Sequence, residues 1–122
     1  MQFNERRRYP RIPVKAEIEY LQMESADAEL LVTASRNLSI GGACIITFKE
    51  FPCGTKLLLH LKFPDNSRVI NAEGRVVWVR NLELEGKCLD SVFELGIEFT
   101  NIPEEDYKII QGYVASKLKD SL

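Results

Sequence analysis

At 122 residues, with 45% hydrophobic and 28% charged residues, the chain has the size and composition of one folded domain, which excludes wholesale disorder, a collagen-like repeat and a long coiled coil. A formal net charge of -2 gives no overall attraction to nucleic acid or an anionic membrane, so a polyanion needs a local site and no DNA partner is expected. No stretch approaches the roughly 18 apolar residues of a membrane span, and the charged start Met1 to Arg11 lacks the apolar segment of a signal peptide, so the expected compartment is the cytoplasm.

The charge is uneven along the chain. Residues 1–15 hold Arg6, Arg7, Arg8, Arg11 and Lys15 against Glu5, a net +4, and residues 16–36 reverse it with five acids against Arg36. Pro10 and Pro13 remove two backbone donors and disfavour helix at the residues before them, so residues 1–13 read as an extended arm ahead of a domain spanning 14–122. From Val14 the pattern alternates: Ala16, Ile18 and Tyr20 on one face, Lys15, Glu17 and Glu19 on the other, the period-2 mark of a half-buried strand. Leu30, Val32, Ala34 and Leu38 share the parity of a second strand, and Thr33, Ser35, Asn37 and Ser39 the opposite one, so Asn37 and Ser39 face the same way.

Gly41-Gly42 signals a turn, and Ala43 to Phe48 reads as the return strand, ended by Pro52-Cys53-Gly54. Leu57, Leu59, Leu61 and Phe63 give a fourth strand, with Pro64-Asp65-Asn66-Ser67 as the next turn. The run Arg68 to Arg80 sets Ile70, Ala72, Gly74, Val76 and Trp78 on one face, with Gly74 marking a bend or bulge and Trp78 read as core. Phe93, Leu95, Ile97 and Phe99 make a sixth strand, and the stretch between Asn81 and Ser91 is either a protruding loop or an extended strand pair. Only the tail changes period: Pro103, Glu104, Glu105 and Asp106 suit a helix start, Lys117 and Lys119 its end, and Tyr107, Ile110, Val114 and Leu118 its apolar stripe. The fold class is mainly β, six antiparallel strands closed into a small barrel with a C-terminal helix.

Chemistry-bearing residues are sparse. Cys44, Cys53 and Cys88 form no CxxC pair and read as small apolar fillers, with Cys88 exposed in its polar stretch; the one histidine, His60, sits in a strand pattern. No paired acid–base or metal constellation is present in the sequence, so an enzyme is the least supported class, and no metal or cofactor is expected.

Two short motifs carry more. Arg7-Arg8-Tyr9-Pro10-Arg11 has the form RxxxR just ahead of the first strand, and Asn37-Leu38-Ser39-Ile40-Gly41-Gly42 has the form [D/N]xSxxG at the end of the second. In that order the pair resembles the signature of the PilZ domain, the bacterial receptor module for cyclic di-GMP; Arg75 to Trp78 and Leu95 to Phe99 also resemble its later strands. The resemblance implies a six-stranded antiparallel barrel with a C-terminal helix, and a non-enzymatic single-domain receptor that controls motility, biofilm or exopolysaccharide through contact with an effector protein. It implies that Arg7 and Arg11 bind phosphate and guanine, that Asn37, Ser39 and Gly42 meet the other guanine edge, and that Arg6, just before RxxxR, accompanies two intercalated ligands per chain. Asn37 stands where many members have Asp, and an amide oxygen is a weaker acceptor than a carboxylate. The expected state is a monomer or weak homodimer; the alternative is a PilZ-like interaction adaptor that binds no nucleotide.

Overall fold

Six short segments, each apolar at alternate positions, bury those positions by closing one sheet on itself. A computed structural model describes residues 16–63 and 68–120, apart from the side chains of Arg36, Leu118 and Asp120; the arm 1–13 and the turn Pro64-Asp65-Asn66-Ser67 lie outside the described residues. The strands are β1 (Glu17–Gln22), β2 (Leu31–Leu38), β3 (Gly42–Thr47), β4 (Lys56–Lys62), β5 (Val69–Leu84) and β6 (Lys87–Asn101), followed by helix α1 (Glu104–Asp120). They form a closed antiparallel barrel in the order β1-β2-β3-β6-β5-β4, with β4 returning to β1. Closure removes the unpaired edges that an open sheet of this size would expose.

The barrel interior is filled from every strand, by Ile18 and Tyr20 of β1, Leu38 of β2, Ile45 of β3, Leu57, Leu59 and Leu61 of β4, Ile70 and Val76 of β5, and Leu95 and Ile97 of β6. Each such side chain contributes about 1.5–3 kcal/mol by leaving water. Ile110 and Val114 bring α1 onto the same core, and Tyr113 stacks on Phe63 with ring centroids 4.4 Å apart. A buried carboxylate fixes the start of the helix: Asp106, 2% exposed, accepts from Arg68 Nη2 at 2.8 Å and from the backbone N–H of Asn71 at 3.0 Å, while Glu105 takes a second Arg68 bond at 3.2 Å.

Two bulges break the period read from the sequence. On β2 the pairing with β3 runs Ser35 to Ile45 and then Asn37 to Cys44, so Arg36 is an extra residue. Before it Ser35 is buried; after it Leu38 is buried. Leu30, Val32, Ala34 and Leu38 therefore do not share a face, and of these four only Leu38 enters the core, a correction to the unbroken alternation. On β5 the pairing with β6 jumps from Val76–Ile97 to Trp78–Gly96, which turns Trp78 out of the barrel and returns Val79 to it, so Trp78 is not core. A further shift lies at Glu73/Gly74, where Gly74 was read as a bend or bulge of its own strand; the extra residue there is Thr100, on β6.

The stretch after Asn81 is an extended strand pair. β5 and β6 continue as a ribbon to Leu84–Lys87, turned by Glu85 and Gly86, whose φ values of 53° and 78° are those of a primed hairpin turn. Cys44 is buried as expected, Cys88 is exposed, and Cys53 is exposed where a filler was expected, because it lies in the β3–β4 connection rather than in a strand.

Candidate functional site

The β2–β3 hairpin is held by its own serine. Ser39 N–H donates to the Gly42 carbonyl at 2.9 Å, and Ser39 Oγ accepts from the N–H groups of Gly41 and Gly42, both at 3.2 Å, while donating to the Gly42 carbonyl at 3.4 Å. The Ser39 hydroxyl is thus engaged inside the turn. Gly42 has an equally local reason: a Cβ there would stand 2.0 Å from the carbonyl oxygen of Ile97, where β6 crosses close to β3, and Gly41 fastens the same crossing by accepting from Phe99 N–H at 2.9 Å.

Asn37 is different. The bulge at Arg36 brings it to the outer wall, half-buried, and its Oδ1 is enclosed with no hydrogen-bond partner among the described residues. Orphaned buried acceptors are uncommon in folded proteins, because each costs about 1–3 kcal/mol.

The strand register extends the site sideways. Asn37 pairs with Cys44, Cys44 with Gly96 and Gly96 with Trp78, so one row crosses β2, β3, β6 and β5 on the outer face. Glycine at 96 makes this possible, since a Cβ there would lie 2.0 Å from Trp78 Nε1 and 2.2 Å from Cε2: the indole lies across Gly96. In the next row Arg80 pairs with the buried carboxylate of Glu94 and holds its guanidinium 5.8 Å from the centre of the Trp78 ring. Among the described residues the wall thus combines an acceptor without a donor, an aromatic plate and an arginine paired to a buried carboxylate. Trp78 was missed in the sequence because the bulge that turns it outward carries no glycine; the signal for it is Gly96, which has no side chain at a position where the alternation calls for one.

The sequence-derived candidates divide accordingly. Asn37, Ser39 and Gly42 are brought together at one end of the barrel, whereas Arg6, Arg7 and Arg11 lie outside the described residues. Ala16, the first described residue, is tied to β2 beside this site: its N–H donates to Ser35 Oγ at 3.0 Å and its carbonyl accepts from Ser35 N–H at 2.9 Å. His60 stands elsewhere, on β4, half-exposed and 3.7 Å from the Glu19 carboxylate.

Residues 5–116 match the family model of the PilZ domain. The chain belongs to the PilZ domain family. Among solved structures this PilZ domain is similar to the Bacillus subtilis inhibitor of motility MotI/DgrA, with a TM-score of 0.76 and 20% identity over 94% of this chain and 52% of that one. It is similar to Escherichia coli YcgR in complex with c-di-GMP, with a TM-score of 0.70 and 19% identity over 95% and 47% of the two chains. The K. pneumonia MrkH–c-di-GMP complex follows with a TM-score of 0.71 and 16% identity over 95% and 54%. The chain spans about half the length of these three proteins, and at such identities the likeness is one of fold. No curated protein matches the chain in sequence.

Proposed function

We propose that this PilZ domain is a receptor for cyclic di-GMP that acts through contact with another protein and catalyses no reaction. The observation that carries the reading is Asn37 Oδ1, an enclosed acceptor with no donor among the described residues, set in a row that ends in the Trp78 indole. Guanine supplies what that row lacks. Its N1–H and N2–H groups are donors for Asn37, and its flat face stacks on an indole. Ser39 and Gly42 hold the turn tight beneath the base. Arg7 and Arg11 pair bidentately with phosphate or with guanine O6 and N7, and the arm closes over the ligand as it binds.

Charge arithmetic supports two ligands. Each cyclic di-GMP carries two phosphodiester charges, so an intercalated pair carries four, matching the net +4 of residues 1–15, with Arg6 next to the second molecule. The protein works in the cytoplasm, where its nucleotide is made; no described helix is long and apolar enough to cross a membrane. The alternative, an adaptor that binds no nucleotide, draws support from Ser39 and Gly42, whose places in the turn need no ligand.

Trp78 is the one tryptophan of the chain, so the site reports on itself. Titration with cyclic di-GMP should change the Trp78 fluorescence saturably, and Asn37→Ala should move the midpoint to higher concentration. Unchanged fluorescence across the titration, with a folded protein, moves the assignment to the adaptor.

A further inference from the structure

The two ends of the barrel differ in character. The Ser39–Gly42 turn, the start of β1 and helix α1 lie at one end, and antiparallel order puts the β1–β2, β3–β4 and β5–β6 connections at the other. There the large apolar side chains of Leu30, Val32 and Phe48 face solvent, 57%, 59% and 76% exposed. Extending the Ser35–Ile45 register by three positions sets Val32 beside Phe48 on the outer wall, and Thr33 Oγ1, donating to the Ile46 carbonyl at 2.5 Å, keeps the two strands together up to that point. A cluster of this kind, rimmed by polar groups, marks an interaction surface.

The rim is acidic. Glu24, Asp27 and Glu29 of the β1–β2 connection and Glu50 of the β3–β4 connection are exposed at this end. Of the nearby lysines, Lys56 is paired to Glu24 at 3.7 Å and Lys49 lies 5.5 Å over the Phe51 ring. The ribbon projecting from the same end adds Glu83, Glu85 and Asp90 against Lys87. This sign selects the occupant. Nucleic acid and an anionic membrane are repelled, and a second copy docked about a two-fold axis would set one acidic rim against another.

We infer that this face docks an amphipathic basic helix of another protein, its apolar side on Leu30, Val32 and Phe48 and its lysines or arginines on the acidic rim. Val32 is five residues from Asn37 along β2, about 17 Å at strand rise, so the docking face and the nucleotide site are separate surfaces. The inference stands whether or not cyclic di-GMP is the ligand, and its test contains no nucleotide.

The probe is a synthetic helical peptide with one leucine face and one lysine face, compared with its leucine–glutamate counterpart, at physiological ionic strength. Amide shifts of the isotope-labelled full chain should move saturably with the lysine peptide at residues 29–33 and 47–50, and the glutamate peptide should leave them unchanged. Phe48→Ser and, independently, Val32→Thr should each weaken binding by roughly tenfold, both being exposed positions where folding is undisturbed. Equal affinity in native protein and Phe48→Ser, equal binding of the two peptides, or concentration-dependent shifts of the same residues without peptide, the mark of a second copy, would each overturn the inference.

Discussion

Replacing Asn37 by alanine should stabilise the ligand-free protein and weaken its hold on cyclic di-GMP. The enclosed Oδ1 has no donor among the described residues, and such an acceptor costs about 1–3 kcal/mol; since the residue is half-buried, the lower end applies, about 1 kcal/mol. For a chain of this length that raises Tm by about 4 °C. Binding runs the other way. On the proposed receptor reading, a guanine donor would form the bond and relieve the orphan, so its loss should cost about 2 kcal/mol, roughly 30-fold in affinity. At a ligand concentration about 100 times the native Kd, the native protein gains about 2.7 kcal/mol and the variant only about 0.9. The stability order therefore reverses, from variant ahead by about 1 kcal/mol to native ahead by about the same. Circular dichroism melts with and without cyclic di-GMP read both halves. A variant that melts below native protein without ligand would refute the reasoning, because it would mean that the protein itself supplies the Asn37 donor.

Three further outcomes follow from particular contacts. Gly42→Ala drives a Cβ into the Ile97 carbonyl and should lower stability by at least about 2 kcal/mol, whereas Gly96→Ala meets the Trp78 side chain first and should displace the indole, read as a shift in its fluorescence with a smaller loss of Tm. Asp106→Ala strands the Asn71 N–H and removes the buried partner of Arg68, costing about 2 kcal/mol, and hydrogen exchange should show α1 loosening before the barrel does. Burial, followed by the nearby charge of Glu29, pushes the Tyr20 hydroxyl above its ordinary value of 10.0. The folded state thus favours the neutral phenol, and that stability is whole below pH 10 and lost as pH climbs through the raised value. Alkaline melts should show the loss, and Tyr20→Phe should flatten it.

The six strand segments, the hairpin at Gly41-Gly42 and the helical stripe through Ile110 and Val114 were legible because each rests on a local period or a local turn signal. The outer wall was not. Its content depends on two bulges, at Arg36 and next to Val77, where an ordinary residue is inserted without a glycine or proline to mark it, and each insertion moves the following side chain to the other face. The first sets Val32, on the parity of the core residue Leu38, on the opposite face from it, and the second turns Trp78 outward. Asp106 was read only as a helix-start acid, although its spacing of four from Ile110 and eight from Val114 puts it on the buried face. The motif residues were legible as a resemblance, while the division of labour among them, with Ser39 and Gly42 building the turn and Asn37 Oδ1 without a donor among the described residues, needed the hydrogen bonds.

Isothermal titration of the purified protein with cyclic di-GMP, beside Arg7→Ala and Arg11→Ala and with GTP as a charge control, tests the receptor assignment most directly. Saturable heat with two ligands per native chain, its loss in both variants, and none with GTP are the expected results. A flat trace from folded native protein would contradict it.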